Sequence, residues 1–208
     1  LLYIGFGSEI ADVPKRLWFA VFHSVSAFCN AGFSTFSDSL IGFSGNGLVV
    51  NTITGLLIVG GLGFAVVANL LAYFRGRAMS DRKVRLSVQT KVVVVVSLAL
   101  LIFGGAVIYF SETENAFAGM SVAESISLSM FQSATARTAG FNTIDLNMFS
   151  ISSLFVIIIM MFIGAAPGST GGGIKITTLA VLWANARAIA RGDKDARLFD
   201  REVSNLVV

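Results

Sequence analysis

Phe131-Gln132-Ser133-Ala134-Thr135-Ala136-Arg137-Thr138-Ala139-Gly140-Phe141 decides how this chain is read, because it occurs twice. The other copy is Phe22-His23-Ser24-Val25-Ser26-Ala27-Phe28-Cys29-Asn30-Ala31-Gly32-Phe33, with one residue of slippage. Each copy ends in Ala-Gly-Phe and a short polar tail, Ser34-Thr35 or Asn142-Thr143, and then enters a long apolar stretch. Midway along those stretches, Val59-Gly60-Gly61-Leu62-Gly63-Phe64 stands where Ile163-Gly164-Ala165-Ala166-Pro167-Gly168 stands in the second copy. The repeated unit is a short helix, a glycine-bearing loop and a long helix, and self-similarity of this kind marks a repeat architecture.

Composition says where such units reside. The 208 residues are 55% hydrophobic and only 13% charged, with a mean hydropathy of +0.80. A soluble domain carries about 25% charged residues. That deficit argues against a soluble enzyme, a disordered chain and a nucleic-acid-binding protein, despite a net charge of +3. Cys29 is the only cysteine, which leaves no internal disulfide and no thiolate metal cage. Leu1 is no initiator, so a fragment of a longer chain is expected. The class is an integral membrane protein.

Three stretches are long and apolar enough to cross a bilayer, which takes about 20 helical residues. They run from about Val49 to Phe74, from Val92 to Phe110, and from about Ile151 to Ala190. The third is interrupted by GAAPGSTGGG at Gly164–Gly173. Glycine costs about 1 and proline about 3 kcal/mol relative to alanine in a helix, so two half-helices flanking a loop are expected there. Close helix packing through small residues needs fewer glycines than this. A phosphate loop requires Gly-Lys-Ser/Thr in sequence, whereas Ile174 and Ile176 flank Lys175 here. Two further apolar segments, Pro14 to Asn30 and Met120 to Thr135, are too short to span and read as re-entrant.

Charge sets the orientation. Six basic residues against Asp81 stand between Arg75 and Lys91, and five basic residues mixed with four acidic lie between Arg187 and Glu202. The stretch from Ser111 to Glu124 carries three glutamates and no base. The positive-inside rule places the first two in the cytoplasm and the third outside. That closes only if both short segments enter and leave on the outer side.

Non-helical backbone at membrane depth is tolerated only when packed in protein or lining a watery cavity. A short helix presents partial negative charge at its C-terminus, and glycine lets the following carbonyls turn inward. A ring of such carbonyls replaces the hydration shell of a potassium ion. Neither Ala-Gly-Phe turn offers a carboxylate, and this chemistry needs none.

At this point FHSVSAFCNAGF (22–33), FQSATARTAGFNT (131–143) and GAAPGSTGGGIK (164–175) resemble the Trk/Ktr/HKT superfamily of potassium transporters. The likeness is greatest to the bacterial Ktr-type ion-translocating membrane subunit, and it extends from about Trp18 to Ala190. It implies an all-α integral membrane protein of helix–re-entrant pore helix–filter loop–helix units, four around one pore. Residues 1–74 would be the second unit without its first helix, and 75–91 a basic cytoplasmic linker. Residues 92–190 would be the third unit with its break at 164–173, and 191–208 a linker toward a fourth unit. The resemblance implies that backbone carbonyls of Asn30, Ala31 and Gly32, and of Thr138, Ala139 and Gly140, hold potassium in the filter. It likewise implies an intramembrane gating loop that includes Gly164, Pro167, Gly168, Ser169, Thr170, Gly171, Gly172, Gly173 and Lys175. The transported ion would be K+, with Na+ a candidate coupling or activating ion. Implied partners are membrane lipid, a second copy in a homodimer and a cytosolic ring of nucleotide-binding regulatory subunits. The implied location is the bacterial cytoplasmic membrane, crossed several times, and no catalysis is expected.

Several residues keep two readings. Lys175 either repels cations while the loop occludes the pore or snorkels toward the cytoplasm. Arg137 is expected to brace the filter from behind, through carbonyls or through Glu124 or Asp145. His23, the only histidine, reads as a hydrogen-bonded pore-helix residue. An intramembrane hydrolase would need it to act with a serine and an orienting acid, and Ser24 and Ser26 are merely its sequence neighbours. A non-conducting helical scaffold is the other alternative, one that would tolerate bulk at Gly32 and Gly140.

Overall fold

The structure is a computed structural model that describes residues 1–78, 85–192, 196–198 and 201–203. A single turn, α1 (Leu2–Gly5), precedes α2 (Val13–Phe28), with Pro14 in the first turn, where its missing N–H costs nothing. Next come α3 (Gly47–Leu62) and α4 (Phe64–Ala78), and after the linker α5 (Val88–Glu112). The second copy supplies α6 (Val122–Ala136), α7 (Ile151–Phe162) and α8 (Ile176–Arg191). Four starts are capped by side chains that the sequence places there. Asn46, Ser87, Ser121 and Ser150 each accept the amide three residues on, satisfying a donor that the first turn leaves free.

Lengths sort the helices as expected. The 25 residues of α5 rise about 37 Å, enough to cross. The 16 residues of α2 and 15 of α6 rise only about 24 and 22 Å. The third apolar stretch is two half-helices, α7 and α8, around a non-helical loop, as the Gly164–Gly173 composition requires.

The first apolar stretch departs from expectation. Instead of one span from Val49 to Phe74, α3 and α4 meet at a bend of 100°. Gly63 makes the corner with φ +83° and ψ 148°. Hydropathy reports composition along a segment and is blind to its direction, so an apolar stretch broken by glycine alone passes as continuous. The tail at 191–208 also holds more than a linker. Strand β1 (Ala196–Leu198) pairs antiparallel with β2 (Arg201–Val203). Part of the basic linker (79–84), and 193–195, 199–200 and 204–208 of the tail, lie outside the described residues.

One core joins the two copies. Phe6, Leu40 and Ile53 from the first copy pack with Ile108, Leu128, Phe131 and Phe141 from the second. Helix α6 sits deepest, against α5 and α3, and buries even Ser125, Ser129, Gln132, Ser133 and Thr135. The exterior is the inverse of a soluble protein's. Phe103, Phe110, Ile151, Phe155, Ile158 and Trp183 all stand exposed, an arrangement that suits hydrocarbon.

Candidate functional site

The two Ala-Gly-Phe loops adopt one conformation. In each copy a hydroxyl on the short helix pins the phenylalanine carbonyl beyond the turn: Ser26 Oγ donates to Phe33 O at 2.8 Å, and Thr135 Oγ1 to Phe141 O at 3.0 Å. In each, φ is positive on either side of the alanine, at Asn30 (+49°) and Gly32 (+70°) and at Thr138 (+74°) and Gly140 (+92°). Left-handed backbone at Asn30 is a tolerated exception, but at β-branched Thr138 it is a genuine outlier. The loops also meet. A Cβ on Gly32 would overlap the carbonyl oxygen of Ala139, and Leu40 N donates to Asn142 O at 2.9 Å. The sequence-expected filter residues are thereby brought side by side.

The glycine-rich segment forms a loop with a closed neck. Gly164 N donates to Ile174 O (3.0 Å), Ile174 N to Phe162 O (3.1 Å), and Ala165 N to Gly172 O (3.1 Å). A Cβ on Gly164 would collide with the Gly172 carbonyl, so the strands of the neck cross at a distance only glycine permits. The loop reaches both Ala-Gly-Phe turns. Thr170 Oγ1 accepts from Asn30 Nδ2 (3.0 Å) and lies 3.1 Å from Phe28 O, to which it donates. Gly172 N donates to Thr138 Oγ1 (2.9 Å). Lys175 turns back into the loop, Nζ donating to Gly171 O at 2.8 Å. It thereby supplies an interaction that a broken helix has lost, and Ser169 Oγ does the same at Ala166 O.

The loop also meets the bend. Ala166 N donates to Gly61 O (3.1 Å), Phe64 N to Gly168 O (3.2 Å), and both the N–H and the hydroxyl of Thr170 approach Gly60 O (3.5 and 3.3 Å). Sequence alignment sets Gly60–Gly63 and Gly164–Gly168 in equivalent places, yet only the structure brings them into contact.

Arg137 does not make the expected pairs. Its side chain is largely buried, and among the described residues it bonds neither Glu124 nor Asp145; its Nε has no partner. Asp145 is engaged instead with Asn147. His23 is fully buried, stacked on Phe36 at 5.0 Å. Its Nδ1 donates to Phe19 O (2.8 Å), so a backbone carbonyl rather than a carboxylate orients the ring, and Nε2 meets Ser34 Oγ (3.0 Å) rather than Ser24 or Ser26.

Glu112 escaped the sequence reading, which counted it only as an outer charge. It ends α5 fully buried, and its Oε1 accepts both the N–H and the hydroxyl of Ser150, the cap of α7. A carboxylate is ill placed at its own helix's C-terminus and well placed at the start of another. That misfit was the available signal.

Comparison with known proteins gives one answer. A family model described as TrkH, cation transport protein, matches residues 4–205. The Ktr system potassium uptake protein B of Vibrio alginolyticus is 38% identical over 199 residues, 92% of this chain and 43% of that protein. The potassium/sodium uptake protein NtpJ of Enterococcus hirae is 36% identical over 197 residues, 93% of this chain and 42% of its own length. The crystal structure of the potassium transporter TrkH from Vibrio parahaemolyticus superposes with a TM-score of 0.74 at 18% identity, covering 99% of this chain and 42% of that one. This chain therefore spans less than half the length of the relatives it matches. A family model matching nearly from end to end, over a helical repeat whose turns and break are built as described, means that the chain belongs to the TrkH family of cation transport proteins.

Proposed function

We propose that this chain supplies two of the walls of a potassium-conducting pore in the bacterial cytoplasmic membrane. In this reading residues 1–74 and 92–190 are two pore units, joined by the cytoplasmic linker 75–91 and followed by 191–208. Carbonyls of Asn30-Ala31-Gly32 and Thr138-Ala139-Gly140 replace ion hydration, and the loop from Gly164 to Lys175 gates passage. The observation that carries it is the matched, adjoining pair of turns, each pinned by a short-helix hydroxyl and each bonded to the glycine-rich loop. Alternating left-handed and ordinary residues let successive carbonyls share one side. Relatives named as potassium uptake proteins support the ion, and NtpJ, named for potassium and sodium, supports Na+ as a second cargo or coupling ion.

The remaining units, a second copy in a homodimer and a ring of cytosolic nucleotide-binding subunits complete the proposal, with no covalent chemistry. Potassium uptake by the complete protein, in potassium-starved cells lacking their own uptake systems, tests it. Gly32→Ser and Gly140→Ser force a side chain onto left-handed backbone, the first also against Ala139 O. Both are expected to lower affinity for potassium or its selection over sodium, while deletion of 168–173 raises flux. If all three match wild type at equal expression, the pore reading of these loops fails.

A further inference from the structure

We infer that the 100° bend between α3 and α4 is the other half of the gate, so that displacing the glycine-rich loop straightens 47–78 and straightening 47–78 displaces the loop. This rests on the gating role proposed above for that loop.

In a continuous helix, Gly60 O would receive the N–H of residue 64 and Gly61 O that of residue 65. The bend breaks both bonds. Three of these four groups then find substitutes, and all three substitutes come from the glycine-rich loop: Thr170 for Gly60 O, Ala166 N for Gly61 O, and Gly168 O for the Phe64 amide. Within a bilayer, released groups that do not face the pore find no water. Withdrawing the loop leaves these groups to pore water where they face it, or to close the helix on one another. Closing the helix in turn takes the loop's acceptors away. Two arrangements of one set of donors and acceptors make a two-state element that either segment biases.

The sequence makes the exchange one-sided. No proline stands between 47 and 78, and the corner residue is glycine, so the straight form is open to α3 and α4. The third-unit break contains Pro167, which no helix interior accepts. One break is permanent and the other reversible. Helix α4 also reaches the cytoplasmic linker, because Asn69 Oδ1 accepts from Ser87 N at 3.0 Å where α5 begins. A swing of α4 would thus be felt at that linker, and a pull on the linker at the gate.

Two neighbouring substitutions push the element in opposite directions. Gly63→Ala opposes the bend, since φ is +83° and its Cβ would lie 2.7 Å from Pro167 O. It also favours a straight helix by about fivefold from propensity alone. Phe64→Pro stands at the first position of α4, where proline is tolerated, but a straight helix cannot carry it. Potassium flux in the complete protein is read together with the distance between spin labels at the exposed Leu48 and Phe74, in a Cys29→Ser background. The separation is about 25 Å across the bend and about 39 Å in a straight helix. Gly63→Ala is expected to raise flux and populate the long distance. Phe64→Pro should hold the short distance and lower flux below wild type. Gly63→Ala with wild-type flux and only the short distance overturns the inference, as does Phe64→Pro raising flux, which would mean that lost contact alone opens the gate. The proposed gating role fails separately, if deletion of 168–173 leaves flux unchanged.

Discussion

Thr138 carries more constraint than any other side chain in the two turns. It is β-branched at φ +74°, and its hydroxyl receives the Gly172 amide. Thr138→Val keeps the shape and removes the acceptor; since the bond is exposed, its loss is expected to cost about 0.5–1.5 kcal/mol. Potassium flux is expected to rise, because the loop loses a hold on the turn; unchanged flux in transport assays would count against the contact having a gating role. Glu112 is constrained differently. Glu112→Ala leaves the Ser150 amide and hydroxyl without that acceptor and opens a cavity, while removing a buried oxygen, Oε2, that has no partner, and is expected to cost about 1–3 kcal/mol of stability. Glu112→Gln retains an acceptor oxygen at that amide and should cost less. Thermal unfolding in detergent, compared among the three proteins, checks the order. For Thr138 the sequence carried no signal, and for Glu112 only its misfit at the end of its own helix. Thr138 was marked for its carbonyl and Glu112 for its charge, and in both cases the deciding partner lies more than thirty residues away along the chain.

At the scale of elements, what the sequence disclosed was local. The length limits on α2 and α6 and the break at Gly164–Gly173 follow from neighbouring residues, and the structure contains each. The bend at Gly63 was hidden because its cause is remote: what favours a corner over a helix is the set of partners offered by residues 166–170. The same reasoning predicts which cap matters. Ser87 both caps α5 and is held by Asn69, so Ser87→Ala should cost about 1 kcal/mol in helix start alone. Removing the second contact by Asn69→Ala should instead hasten tryptic cleavage of the basic linker, with little change in melting temperature. Equal cleavage rates for wild type and Asn69→Ala would show that the contact does not restrain the linker.

Across the whole molecule, the repeat seen in the sequence is a repeat in space, and the two copies are mutually buried rather than strung in series. Phe6 and Ile53 share a core with Phe131 and Phe141, and the turns and breaks of one copy bond those of the other. A protease site inserted in the linker should therefore yield two pieces that co-purify in mild detergent and separate only on denaturation. Pieces that part on cleavage would mean that the covalent link, not the shared core, holds the copies together.

The crossed bonding of the two breaks also bears on how such proteins can be recombined. A chimera that takes its first copy from one relative and its second from another exchanges Gly60 and Gly61 without Ala166 and Thr170, and so inherits each corner without the surface that completes it. A change of backbone shape at either place is expected to be felt at the other, across about a hundred intervening residues. Grafts that move the two corners together should keep a working hinge where grafts that part them lose it.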